Sequence, residues 1–281
     1  MSNPFFNEKK MNEDANGWAA PTSAAAVASK PQGFPAEPDG ALHRPIHDGP
    51  TSRYQSQVMT VNGVITATAV LFTIFLVAAS VGWFTSTTNA EGNFEPAPGI
   101  LIGVILGFVA VMVAYRKPTW AKFLGPVYAL SYGYAVGAIS RMYEASQNGI
   151  VLQAAGATMA VFIVMLTLYR TGIIKVTEGF RRIVMGATLG VMVLYLVSIV
   201  ISLFGGEIGF INSPSLLGIG FSVFVCALAA SNLALDFDLI EKGTAMKMSK
   251  DYEWVAALGM VVTIVWLYLE ILRLLSKLNR R

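Results

Sequence analysis

Residues 216–243 read LLGIGFSVFVCALAASNLALDFDLIEKG, a mostly apolar run that ends on two aspartates. About 20 apolar residues are enough to cross a bilayer as a helix, and a carboxylate at the foot of such a run is expensive to hold. Asp236 and Asp238 are therefore the first candidates for function. The whole chain of 281 residues fits a bilayer setting, since 54% of it is hydrophobic, 13% is charged and its mean hydropathy is +0.58. This composition predicts a polytopic membrane protein.

Seven apolar runs follow the polar head of the chain, each bounded by Gly, Pro, Asn or charged residues. They cover residues 61–84, 97–115, 122–140, 151–170, 181–204, 216–239 and 252–275. Runs of this length without hairpin punctuation are helices rather than barrel strands, because every backbone polar group in hydrocarbon needs an internal partner. We predict an all-α fold, a polytopic membrane helical bundle with seven transmembrane helices, formed by residues 58–281 as one domain.

Residues 1–57 differ from the rest in being rich in Ala, Pro, Ser, Gly and Asn, with no sustained helical or alternating period. Such a stretch predicts a disordered N-terminal cytoplasmic tail. His43 and His47 have the spacing of a helical metal site, but Pro45 between them disfavours a helix, so we expect both to be solvated. Cys226 is the single cysteine, which excludes an internal disulfide.

The connecting segments alternate in charge. Lys and Arg gather between runs two and three, four and five, and six and seven, whereas the other connections hold few of them. Basic loops are cytoplasmic, so we predict a multi-pass protein of the plasma (inner) membrane with its N-terminus inside. Seven crossings leave a basic C-terminus outside, so the last run either crosses against the rule, which we favour, or enters and returns. The net charge of +3 is small and its Lys and Arg lie in short segments between the apolar runs, so we expect no nucleic-acid partner. The apolar runs predict membrane lipid as the partner.

Glycines recur at a spacing of four in three of the runs. The sets are Gly99, Gly103 and Gly107, then Gly133 and Gly137, and then Gly186 and Gly190. Small residues at this spacing let helix backbones approach closely in lipid. We expect them at helix contacts inside the bundle, with a homodimer seam as the alternative.

The two aspartates cannot act as two ligands on one helical face, because residues two apart point about 200° from each other. We expect Asp236 to face the bundle centre, with Asp238 facing headgroups or a neighbouring helix. Asn232 lies one turn from Asp236 and predicts a polar track along that side. The alternative is that water solvates both acids at the cytoplasmic rim.

Three further charged positions lie at the edges of the runs. Glu253 opens the last run, where we expect it either at the depth of Asp236 or as a first-turn acid that favours the helix dipole. Arg116 ends run two and could extend to lipid phosphates or reach inward to a carboxylate. Glu270 and Arg273 are three apart, which predicts a local ion pair.

Catalytic signatures are absent from the sequence. It contains no paired-histidine zinc motif, no phosphate-binding glycine loop ending in lysine and no nucleophile elbow, and both histidines lie in the tail. An intramembrane aspartyl protease would need aspartates from two runs, and only run six supplies any. We therefore predict a protein that is not an enzyme and has no cofactor.

Four segments together carry a family resemblance: FLGPVYALSYGYAVGAIS at 123–140, GIVLQA at 149–154, FRR at 180–182 and LDFDLI at 235–240. In this combination the chain resembles the bacterial branch of the transmembrane Bax inhibitor motif family over its seven runs. The resemblance implies seven helices with the last surrounded by the other six. It also implies, for some members, a proton-sensitive calcium leak gated by aspartates on spans six and seven, with an arginine at the end of span two able to engage them.

Matched residue by residue, Asp236 corresponds to the aspartate of span six and Arg116, to within one residue, to the arginine of span two. The aspartate of span seven is missing, and its position falls near Thr263. Either Glu253 substitutes for it from another turn, or the chain lacks the paired acids.

The first functional hypothesis is a pH-sensitive, channel-like calcium leak in which Asp236 attracts the cation, titrates with protons and binds Ca²⁺ transiently. Its ion pathway and pH sensor would comprise Asp236, Glu253, Arg116, Asp238 and Asn232. The alternative is a regulatory protein without channel activity that modulates membrane proteases or a stress response through its tail. A proton-coupled transporter would need broken helices in matched halves, which the runs do not show.

Overall fold

The computed structural model describes residues 57–88, 94–95, 97–206 and 209–280, and within them it forms seven long helices. They are α1 (Val61–Thr85), α2 (Ile100–Arg116), α3 (Ala121–Ser146), α4 (Ile150–Arg170), α5 (Glu178–Leu203), α6 (Leu216–Ala245) and α7 (Asp251–Leu278). All seven predicted runs are thus confirmed as helices. The tail prediction for residues 1–57 falls outside the described residues except at Gln57.

Smaller elements connect these helices. The two-residue strands β1 (Thr87–Thr88) and β2 (Phe94–Glu95) pair antiparallel between α1 and α2, a 3₁₀ turn (Pro118–Trp120) precedes α3, and a short helix (Gly209–Asn212) precedes α6. α2 begins later than its run because Gly99, the residue before it, has a left-handed φ of 80°. That backbone conformation suits glycine and starts the helix at Ile100.

Five of the helices, α1, α4, α5, α6 and α7, are long and apolar enough to cross a membrane, and α2 is a shorter apolar helix of 17 residues. The fold is therefore that of an all-α, polytopic helical membrane protein.

α7 is the most enclosed of these helices. In its most apolar window 72% of the residues are buried, against 11–33% for the other four candidate spans. Each of the other long helices contacts α7. The contacts are at Glu253 for the beginning of α1, Gly259 for α2, Tyr268 for α3, around Ile271 for α4, Glu270 for α5 and Lys277 for α6. A polar group on α7 therefore meets protein rather than lipid.

Glycines set the closest helix contacts, as predicted for α2 and α3. A Cβ at Gly133 would lie 2.7 Å from the carbonyl oxygen of Phe75 on α1, and one at Gly103 would lie 2.6 Å from that of Ser131 on α3. Gly137 likewise faces the Ala79 carbonyl. In contrast, no heavy atom of the described residues lies within 4 Å of a Cβ built at Gly186 or Gly190, so the α5 glycines make no internal contact.

The chain segment before α1 pairs with the turn between α6 and α7. The Met59 amide donates to the Met248 carbonyl at 2.8 Å, and the Lys250 amide donates to the Gln57 carbonyl at 2.8 Å. The start of the bundle and the α6–α7 turn therefore lie on the same side of the molecule.

The glycine contacts lead to a stability prediction. Gly133→Ala should lower the stability of the detergent-purified protein by about 1–3 kcal/mol, since the added methyl group meets backbone that cannot move aside. Gly190→Ala is the matched control, because that position is open and Ala is the better helix former by up to about 1 kcal/mol. Thermal unfolding measures both, and equal melting temperatures would contradict the packing described here.

Candidate functional site

The Asp236 carboxyl group faces α7 and the end of α2. A Cβ at Gly259 would lie 3.6 Å from Asp236 Oδ1 and 2.9 Å from the Tyr115 hydroxyl, so glycine leaves the space in which these two groups meet. The Thr263 side chain, one turn further along α7, lies beside the Asp236 carboxyl group. Asp236 thus has two hydroxyl-bearing neighbours and, among the described residues, no adjacent cation.

One oxygen of this carboxyl group is unsatisfied. Asp236 Oδ2 is buried and has no hydrogen-bond partner among the described residues. An unpaired carboxylate in a low-dielectric interior is costly, and binding either a proton or a cation removes that cost. Either ligand would therefore satisfy this oxygen atom.

Asp238 faces a different neighbour, as the predicted divergence of the two aspartates requires. Its Oδ2 accepts from Arg181 Nη2 at 2.7 Å and lies 2.9 Å from Lys242 Nζ. Its side chain is only 8% exposed, so two cations of the protein, rather than water, compensate its charge. The alternative of two water-solvated acids is wrong.

Arg116 makes no ion pair with a carboxylate in the described part of the chain, and its side chain is exposed. The arginine that reaches inward is Arg181 near the beginning of α5, to which the sequence analysis gave no role at the site. The α2 residue that reaches the site is Tyr115, the direct neighbour of Arg116.

Glu253 is buried and anchors the beginning of α1. Its Oε1 accepts from the Thr60 amide at 2.9 Å and from the Thr60 hydroxyl at 3.0 Å, and the Thr60 hydroxyl caps α1 by accepting from the Gly63 amide. Glu253 lies six residues before Gly259, which is about 9 Å along the helix. The expectation that it lies at the depth of Asp236 is wrong, and Thr263 is the α7 side chain beside the acid.

Asn232 is directed towards α5 instead of forming a track to Asp236. Its Nδ2 donates to the Thr188 hydroxyl at 2.9 Å and to the Leu228 carbonyl at 2.9 Å. The predicted polar track is therefore wrong, and the side-chain amide links α6 to α5.

A second buried polar cluster lies towards the other end of α7. Glu270 Oε1 lies 3.1 Å from Arg273 Nη1, which confirms the predicted local ion pair. The Tyr195 hydroxyl on α5 donates to the same Oε1 at 2.9 Å, a contact with no sequence signal because the residues are 75 positions apart. Lys277 is also buried and donates to the Gly218 carbonyl and the Ser222 hydroxyl of α6.

The donor set around Asp236 is weak for a resident metal. In the described ranges, no group of three or more His, Cys, Asp or Glu side chains could hold a metal ion. Asp236 with the Thr263 and Tyr115 hydroxyls supplies oxygen atoms only, which suits a passing hard cation better than a fixed one.

A family model described as Bax inhibitor 1 like matches residues 3–280, nearly the whole chain. No curated protein matches the chain.

The Glu253 contacts predict a structural effect on the beginning of α1. Glu253→Ala should lower stability by roughly 1–3 kcal/mol, because the Thr60 amide loses its side-chain acceptor. Asp251→Ala, in the same first turn, should cost only about 0.3–1 kcal/mol of helix-dipole interaction. Thermal unfolding compares the two variants. An equal loss of stability in both would show that Glu253 does not anchor the beginning of α1.

Proposed function

The chain belongs to the Bax inhibitor 1 like family, and from that premise we propose that it is a pH-sensitive, channel-like calcium leak of the plasma membrane with Asp236 as the group that attracts the ion. The single observation that carries this proposal is the buried Asp236 Oδ2, which has no partner among the described residues. A lone acid inside a membrane bundle is a functional candidate because its charge is otherwise uncompensated.

The chemistry around Asp236 supports a hard cation as its ligand. Ca²⁺ takes six to eight oxygen ligands, and this site offers one carboxyl group with the hydroxyls of Thr263 and Tyr115 beside it. Water would complete the coordination, so residence is brief. Brief residence is what conduction requires, since an ion that binds tightly does not leave.

Protons compete with the cation at the same oxygen atoms. An ionised Asp236 attracts calcium and a protonated one does not, so flux falls on acidification. Thr263 stands where the resemblance places a second aspartate, so a single acid carries this response. Arg116 is exposed and takes no part in it, and Asp238 has its charge compensated by Arg181 and Lys242.

The proposed topology has seven crossings with the N-terminus in the cytoplasm. Two basic residues near the end of α7 have partners inside the bundle. Arg273 is paired with Glu270, and Lys277 donates to the Gly218 carbonyl and the Ser222 hydroxyl. Free basic residues favour the cytoplasmic side of a membrane, and basic residues that are paired inside the protein do so less. An external C-terminus is therefore compatible with these two residues.

A regulatory function without channel activity is the second candidate. The observation that favours it is the pairing of residues 57–59 with residues 248–250, which links the start of the bundle to the α6–α7 turn. A membrane protease is the proposed partner class. Removal of residues 1–56 separates the two functions, because a leak survives it and a partner that binds the tail is lost.

The leak is tested by calcium flux into liposomes that contain the purified protein, at mildly alkaline and mildly acidic pH. Wild-type flux should fall several-fold on acidification, and Asp236→Asn, which mimics the protonated acid at similar volume, should give low flux with no pH response. Asp238→Asn is the matched control and should keep the response. Calcium flux that is equal in all three proteins at both pH values would reject Asp236 as the ion site.

The topology is tested by cysteine labelling in a Cys226→Ala background. With a membrane-impermeant maleimide on intact cells, Ser213→Cys should label directly and Ala245→Cys only after permeabilisation. The reverse pattern would invert the proposed orientation.

A further inference from the structure

α7 carries a line of buried polar side chains that extends beyond the Asp236 site. Thr263, Glu270 and Lys277 recur every seven residues, which places them on one face of the helix at steps of about 10 Å. Their exposures are 8%, 2% and 3%. Three polar groups of this kind on the most enclosed helix of a membrane bundle are costly to bury, so each calls for a partner or a use.

α6 provides a matching line in the antiparallel direction. Asp236 meets Thr263 at one end, and Ser222 accepts from Lys277 Nζ at 2.7 Å at the other. The two contacts are separated by 14 residues on α6 and by 14 residues on α7. Ala229, which is fully buried, lies midway between Asp236 and Ser222 on α6. Glu270, midway between Thr263 and Lys277, therefore lies on the same α6–α7 seam as Asp236.

Arg273 forms an ion pair with the Glu270 carboxylate. A single nitrogen, Nη1, lies 3.1 Å from Oε1 and 3.2 Å from Oε2, and it also donates to the Tyr195 hydroxyl at 2.6 Å. The guanidinium carbon stands 4.9 Å from the centroid of the Tyr195 ring. Glu270 is enclosed whereas the Arg273 side chain is 30% exposed, so Arg273 lies between the acid and the exterior.

We propose that Glu270 is a second cation site on the calcium pathway, and that Arg273 is a tethered cation that fills it in the closed protein. This inference rests on the proposed leak through Asp236. A mobile cation can bind Glu270 only when the guanidinium group leaves, because Arg273 Nη1 already lies within 3.2 Å of both oxygens of this enclosed carboxylate. Lys277 adds a second positive charge nearby, so the closed cluster of one acid and two bases repels an incoming cation.

α5 is the element that can release this block. Arg181, Thr188 and Tyr195 repeat every seven residues along it and contact Asp238 at 2.7 Å, Asn232 at 2.9 Å and Glu270 at 2.9 Å. α5 is also the least buried candidate span, with 11% of its window buried. A shift of this least enclosed span withdraws Tyr195 and leaves Arg273 with one partner fewer.

The test uses the full-length protein in liposomes with a calcium-sensitive dye inside. Arg273→Gln removes the tethered cation and should raise calcium flux roughly tenfold, the ratio expected for one charge-assisted hydrogen bond. Arg273→Lys keeps the charge and should stay close to the wild type. The double variant Glu270→Gln with Arg273→Gln should return flux to the wild-type rate or below, whereas a leak caused by loose packing would persist.

Tyr195→Phe covers the case in which Arg273→Gln does not fold, since it removes one hydroxyl group and keeps the ion pair. It should raise flux by a smaller factor. Unchanged flux in Tyr195→Phe, or in a folded Arg273→Gln, overturns the second site, and the proposed function stands if Asp236→Asn still lowers the flux. Absence of calcium flux in the wild type and in every variant overturns both.

Discussion

The cost of keeping a charged group inside a membrane bundle determines how this protein is arranged. The enclosed helix α7 carries three buried ionisable side chains, and each one is matched by a neighbouring group. Thr60 donates to Glu253, Arg273 and Tyr195 hold Glu270, and Lys277 donates to backbone and hydroxyl groups of α6. Asp236 on α6 departs from this pattern, because its Oδ2 has no such partner in the described chain. Ligand exchange is therefore expected there first.

The same polar contacts hold the helices together where the hydrophobic effect cannot. Lipid tails are as apolar as leucine, so helices in a bilayer associate through close backbone packing and interhelical hydrogen bonds. α1 and α3 use the first route, at Gly133 and Gly137. α5 combines an apolar cluster, in which Val184 and Val191 pack with Val225 of α6, with one polar contact in every two turns.

Local features could be predicted from the sequence, and contacts between distant residues could not. The seven helices follow from apolar run length, and the Glu270–Arg273 pair follows from helical spacing. The pairing of Asp238 with Arg181 was missed because one sequence does not state which helices are adjacent. Arg116 had two alternatives, to extend to lipid phosphates or to reach inward. The side chain that reaches the site is that of Tyr115, one residue earlier, because a shift of one residue turns a side chain by about 100°. Glu253 lies less deep than one of the two expectations because it is in the first turn of α7, whereas α6 continues for nine residues past Asp236 to Ala245.

The central claim is that the Asp236 carboxyl group exchanges a proton for a cation. Infrared difference spectroscopy of the membrane-reconstituted protein observes this group directly through its protonated carbonyl band. The account predicts a band that disappears when pH is raised, disappears at lower pH when calcium is added, and is missing in Asp236→Asn. A band in the wild type that is indifferent to calcium, or one that persists in Asp236→Asn, would contradict it.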